Sequence, residues 1–327
     1  MKKINLKQLK KGCGLILESP RPEDAKYEHI FGIGRAKPRN WKPYLPKRER
    51  QFWLPFCVSF SRLNCAEAKA KSIGIELNLS DRYLAVISGT TKKGNTLRKV
   101  SETFRKEGVV EEKECYLSFE LLSRGWENWD KIFDLSEVDK NAKRYFGGNY
   151  SWLKPDLQIL KDALSYSPIQ IGVGIGNTWE DEVVTKPPFI VAYHAVCCYY
   201  IDDKYIYIND SIGREFKKLS LDYPIEVAMS FRDLPSNWKE IQESQKTVKI
   251  PLVRKKGTRP VFAVVNGKRF WITNEKALND WKKVLGYHTL QEAWSAVKDV
   301  DTFAHPVGGI IGDLSFSQMI KLIFKGI

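Results

Sequence analysis

Four residues of this chain have the types and spacing for acyl transfer: Gln51, Cys57, His194 and Asp210. Cys57 stands where a helical pattern opens. The positive end of a helix favours a thiolate, and so does a neighbouring imidazolium. His194, in Tyr193-His194-Ala195-Val196, can take the thiol proton and later return it to a leaving group. An imidazole in that role needs a third group to fix its ring. The run Tyr205-Ile-Tyr-Ile-Asn209-Asp210-Ser211-Ile212-Gly213 offers two, Asp210 and Asn209. Gln51 stands six residues before Cys57. Its amide, with the Cys57 backbone N–H, could meet a developing oxyanion. The set calls for no cofactor. The six cysteines show no metal spacing and no disulfide framework, and five of them read as buried reduced thiols.

These side chains must be carried by particular elements. Pro55 sits just ahead of Cys57, where a helix can begin without losing a hydrogen bond. Phe56, Phe60, Leu63 and Ala66 to Ala70 then recur at three- and four-residue steps among good helix formers. A second helix is expected after Ser80 as its cap, and a third from Asn95 through Phe104, ended at Gly108. Leu157 to Leu164 reads as another helix. Beyond it the texture becomes strand-like. Ile169 to Ile175 alternates, Tyr193 to Tyr200 is a buried-type run, and Lys204 to Ile208 returns as its hairpin partner around Asp202-Asp203. Helices first and strands afterwards make an α+β plan in two lobes.

At these residues the chain resembles papain-like cysteine peptidases. Gln51, Cys57, Val58, Ser59, Phe60 and Ser61 occupy the places of that family's motif around its nucleophile. His194-Ala195-Val196 matches its histidine strand, and Tyr205 to Gly213 aligns without a gap with the strand end that carries its orienting residue. Cys57 and His194 are 137 residues apart, inside the roughly 130–150 of that family. The resemblance runs from about Pro43 to Leu234. It implies Cys57 as nucleophile, His194 as base and acid, Asp210 as orienter and Gln51 as oxyanion donor. It also implies that Gly94 and Asn95 line the substrate cleft, and that the substrate is a peptide or protein. Four positions depart from the pattern. Leu54 stands where a half-cystine is usual, Val58 replaces an aromatic residue, and Asp210 falls where Asn is usual. Ile212 replaces the Trp that shields the histidine pair, so the pair is expected to be more open to water.

Charge is uneven along the chain. Residues 1–50 carry 14 Lys/Arg against 5 Asp/Glu, residues 246–327 carry 14 against 6, and the stretch between is close to neutral. Two basic ends suit a polyanion or a structural-protein partner; the plainer reading is that they only solubilise the protein. Residues 1–42, rich in Pro, Lys and Arg, read as an extended arm lying over the domain, which leaves open whether the arm enters the cleft. Residues 43–245 form the peptidase-like domain and 246–258 a linker. Residues 259–327 form a small α+β module that opens with a hairpin across Asn266-Gly267. Helical stretches follow at Glu275–Val284 and Leu290–Val297, with an amphipathic tail from Leu314 to Phe324. No apolar run suits a membrane span, and the N-terminal apolar stretch is too short for a signal core. A cytoplasmic or virion-associated protein is therefore expected. The first functional expectation is a cysteine endopeptidase. The alternatives are a virion- or tail-associated binding protein on a peptidase scaffold, and a thiol amidase acting on cell-wall peptides.

Overall fold

The computed structural model describes residues 6–26, 37–115, 118–136, 138, 144–231, 233–235, 238–239, 252–256, 261–265, 268–272, 295, 297–300 and 307–310. The chain divides into two compact units, residues 1–242 and 243–327.

The first unit is built around one helix and one sheet. Helix α1 (Leu6–Gly12) opens the chain. Helix α2 (Cys57–Lys71) begins at the thiol itself, and twelve of its fifteen residues are buried. So thoroughly covered a helix belongs in a core, which is why its sequence mixes Ala, Cys and Ser with larger apolar groups. Helix α3 (Asp81–Ile87) starts after Ser80, whose hydroxyl accepts the Tyr83 N–H. Helix α4 (Leu97–Glu107) starts two residues later than expected, because the Thr96 hydroxyl caps it by accepting from Lys99 N–H. It ends at Gly108, with φ of 68°. Two short helices, α5 (Phe119–Ser123) and α6 (Trp129–Ile132), were not evident from the sequence. Leu122 and Ile132 pack with Leu54, Phe56 and Phe60 in a small apolar cluster at the start of α2. Leu54 is thus fully buried as packing. Helix α7 (Leu157–Ala163) is capped by Asp156.

The sheet holds β1 (Tyr150–Leu153), β2 (Ile169–Ile175), β3 (Val183–Val184), β4 (Ala192–Ile201), β5 (Tyr205–Asn209), β6 (Phe216–Ser220) and β7 (Ile225–Phe231). Their order is β1-β7-β2-β4-β5-β6-β3. The neighbours run antiparallel except β3 with β6. All seven positions of β2 are buried, so its apolar run is that of a central strand. Register places the site. Val173 of β2 lies opposite His194 of β4, and Cys197 of β4 lies opposite Asn209, the last residue of β5. The first unit is a mixed α+β structure, as expected.

The second unit contains β8 (Leu252–Lys255), β9 (Val261–Val265), β10 (Lys268–Ile272), β11 (Val297–Val300) and β12 (Val307–Ile310), in the order β11-β8-β9-β10-β12. The expected hairpin is present, with Val265 opposite Lys268 and Val261 opposite Ile272; its turn at 266–267 lies outside the described residues. β8 falls within the stretch expected to be a linker, where it pairs with β9 and β11. The helices expected over 275–284 and 314–324 lie outside the described residues. So does most of 290–297, whose last residue opens β11. Among the described residues no helix is long and apolar enough to cross a membrane.

Candidate active site

Cys57 is the first residue of α2 and is fully buried. The helix end is tied to the sheet by Gln170 of β2. Its amide nitrogen donates to the Val58 carbonyl at 2.8 Å and to the Ser61 hydroxyl at 2.7 Å, and Ser61 Oγ in turn donates to the Cys57 carbonyl at 2.7 Å. A buried amide bonded to the first turn of a helix holds that turn against the strand it comes from.

His194 faces this end from β4. Its Nε2 lies 2.8 Å from Asp210 Oδ1, and both side chains are fully buried. Asp210, not Asn209, meets the ring, because Asn209 is still in the ladder of β5 and Asp210 is the first residue beyond it. The other ring nitrogen, Nδ1, is buried and makes no hydrogen bond of normal geometry; the Cys13 and Cys57 thiols lie close enough to the ring to act on its charge. Burial alone would push the imidazole down, yet Cys13, Asp210 and Cys57 hold it well above the usual histidine range. Burial would likewise raise the Asp210 carboxyl, but Lys217 and His194 keep it well below the usual carboxylate range.

The pair is not open to water, which corrects the expectation drawn from Ile212. Trp179, in the turn after β2, replaces the missing shield from another part of the chain. Its ring stands edge-on to His194 with centroids 5.7 Å apart, and its Nε1 donates to Asp210 Oδ2 at 3.1 Å. Lys217 of β6 also donates to Oδ2, at 2.6 Å, and Ile212 N–H donates to Oδ1 at 3.0 Å. Neither Trp179 nor Lys217 was singled out from the sequence. The trace of Lys217 was there: it shares the inward side of β6 with Leu219, a position where a charge is out of pattern.

Gln51 is fully buried beside the helix end. Ser211 donates to its Oε1, which turns Nε2 away toward the cleft. That nitrogen donates to the Leu54 carbonyl at 2.5 Å and to the Gly12 carbonyl at 2.6 Å. Ser211 is a further residue that the spacing alone did not mark.

The Gly12 bond reveals what fills the cleft. After α1 the chain runs extended through it. Gly14 N–H points at Cys57 Sγ, 3.4 Å away. Leu15 N–H donates to the Tyr193 carbonyl at 3.2 Å, and Leu15 pairs parallel with Asn95. In that pairing Asn95 N–H donates to the Gly14 carbonyl at 2.8 Å, and Ile16 N–H donates to the Asn95 carbonyl at 2.9 Å. Burial pushes the Cys13 thiol up, against the pull of His194. The strap continues to α4, where Glu18 and Asp24 both pair with Arg98. The basic arm is therefore partly core, with Leu9 and Leu15 buried. Gly14 and Gly94 permit the approach: a Cβ on Gly14 would lie 2.4 Å from the Pro55 carbonyl oxygen, and one on Gly94 would lie 1.8 Å from the Gly14 oxygen. Gly94 and Asn95 thus lie against the strap. Among the described residues no group of His, Cys, Asp and Glu is placed to hold a metal ion.

The chain matches no protein-family model and no curated protein sequence. Its likeness is to solved structures. Xylellain, a cysteine protease from Xylella fastidiosa, is similar with a TM-score of 0.52 and 17% identity, covering 69% of this chain and 97% of that one. A procathepsin B from Trypanosoma congolense is similar with a TM-score of 0.56 and 11% identity, covering 70% of this chain and 88% of that one. A recombinant stem bromelain precursor gives 0.52 and 16%, covering 71% and 81%. The chain has the papain-like cysteine peptidase fold.

Proposed function

We propose that this protein is a cysteine endopeptidase, held closed by its own residues 12–16. Cys57 is the nucleophile, His194 the proton carrier, Asp210 the ring-orienting group and Gln51 the oxyanion donor. One observation carries the reading: an extended peptide backbone already occupies the cleft. Its Gly12 carbonyl meets the Gln51 amide and its Gly14 N–H meets the Cys57 thiol.

With the strap displaced, the chemistry follows from the same contacts. The imidazole takes the Cys57 proton on Nδ1, the nitrogen that Asp210 leaves free. The helix end and the imidazolium favour the resulting thiolate. The thiolate attacks a substrate carbonyl, and the oxyanion that forms is met by Gln51 Nε2 and the Cys57 N–H. The imidazolium gives its proton to the departing amine, which leaves a thioester on Cys57. Water, deprotonated by the same ring, then releases the acid and restores the thiol. Asn95, whose N–H and carbonyl both hold the strap, would hold the substrate backbone instead.

The test is labelling by a peptidyl vinyl sulfone, a thiol probe that reads as a substrate. Wild type should label slowly. Gly14→Val should label at least tenfold faster, because the new side chain cannot fit against Pro55 and the strap must leave. Adding Cys57→Ala or His194→Ala to that variant should abolish labelling. A Gly14→Val protein that labels no faster than free cysteine would sink the proposal.

A further inference from the structure

The Asp210 carboxylate is surrounded by donors alone. Oδ1 receives His194 Nε2 and Ile212 N–H; Oδ2 receives Trp179 Nε1–H and Lys217 Nζ. Four donors match the acceptor capacity of an ionised carboxylate. An amide there would turn its NH2 against a donor, whichever way it faced. The position is therefore built for a full negative charge, although that charge is completely out of water.

A buried charge needs a counter-charge. Two cationic groups compete for this one. His194 is the group on which the chemistry depends; Lys217 is the other. Lys217 is itself buried and is pinned on every side. Besides Asp210, it reaches the carbonyls of Ile212 and Arg214 at 3.2 Å each, it pairs with Glu180 at 3.0 Å, and it lies 5.0 Å from the centre of the Trp179 ring. A lysine held by these five partners has little freedom to leave.

We propose that Lys217 is a positioning residue for the reaction. It is the counter-ion of Asp210, sharing the carboxylate's charge and fixing its plane, so that Asp210 orients His194 while holding its proton less tightly than a carboxylate with no other counter-ion would. The inference rests on the reading of His194 as the proton carrier. The reasoning is one of shared charge. An Asp210 paired only with His194 would hold the imidazolium tightly and resist each return of its proton to the leaving amine. With Lys217 in place the Asp210 charge is offset in part, since Lys217 meets Asp210 at 2.6 Å and Glu180 at 3.0 Å. The ring then feels a directed hydrogen bond more than a bare charge. Among the described residues, the other charged or titratable groups around the pair are Glu180 in the loop after β2, Arg48 ahead of α2, Arg214 and Glu215 before β6, and the Cys57 and Cys13 thiols. Arg48 also donates to the Gly213 carbonyl. None of them is placed to take the Oδ2 position that Lys217 holds.

The test is the titration of His194 in the full chain, followed by NMR on histidine-labelled protein. With four histidines in the sequence, its signal can be assigned by its loss in His194→Gln. Lys217→Met should raise the affinity of the ring for its proton at least tenfold. Lys217→Arg, which keeps the charge, should leave it within twofold of wild type. Lys217→Gln keeps a donor to Asp210 and drops the charge; it should behave as Lys217→Met does, and it serves if the methionine variant fails to fold. A titration unmoved in the uncharged variants, with only the melting temperature lowered, would make Lys217 a packing residue and overturn the proposal. So would loss of the fold in both uncharged variants. No turnover is needed for this reading, so it stands or falls separately from the peptidase activity.

Discussion

Ser211 shows how one hydroxyl can set the direction of a buried amide dipole. An amide buried beside a thiol could face either way, and only one way presents N–H to an oxyanion. Ser211 donates to Oε1, so the nitrogen must face the cleft. Ser211→Ala removes that choice without touching substrate. In the Gly14→Val background it should slow vinyl-sulfone labelling by about tenfold, the worth of one hydrogen bond made in the transition state. An unchanged rate would mean that the Leu54 carbonyl alone fixes the amide. At this same scale the sequence was informative. Gln51, Cys57, His194 and Asp210 were all legible from residue type and spacing, and the structure brings them to one place. What spacing did not mark were Ser211, Trp179 and Lys217, whose roles exist only through contact.

Among the elements, the turn between β5 and β6 carries the greatest demand. It must deliver Asp210 to His194, Ser211 to Gln51 and Lys217 back to Asp210 within eight residues. Gly213 makes the reversal, with φ of 67°. A Cβ there would also lie 2.2 Å from Glu180 Oε1, the oxygen that pairs with Lys217. Gly213→Ala should therefore destabilise the protein by about 1–3 kcal/mol, read by urea unfolding followed through tryptophan fluorescence. A loss below about 0.5 kcal/mol, the range of neutral surface changes, would show that the turn relaxes freely. The elements themselves were partly readable. Helices α2, α3, α4 and α7 and strands β2, β4 and β5 announce themselves by period and cap. β1, β6 and β7 do not, since a short strand with mixed polar and apolar residues carries little signal of its own.

In the whole molecule the division into residues 1–242 and 243–327 separates the site from a second sheet. Everything placed at the site belongs to the first unit, including the N-terminal strap. The second unit has its own buried side chains in Leu252, Val261 and Ile272. Calorimetry of the full chain should accordingly give two transitions. A strap-displacing Gly14→Val should lower only one of them. A single transition lowered as a whole would show that the two units unfold together.

The sequence by itself determined the candidate site residues, most of the helices of the first unit, its central strands and the α+β plan. These follow from side-chain chemistry, from periodicity and from caps, all of which act over a few residues. The tertiary structure decided what surrounds the reacting groups. Trp179 reaches Asp210 across 31 positions, Gly14 reaches Cys57 across 43 and Ser211 reaches Gln51 across 160. Such meetings depend on sheet register and on the path of the strap, and no local pattern encodes either. A shielding tryptophan absent at position 212 could therefore return at 179. A lysine that no spacing marked could meet the Asp210 carboxylate, and an arm that reads as lying over the domain could run past Cys57.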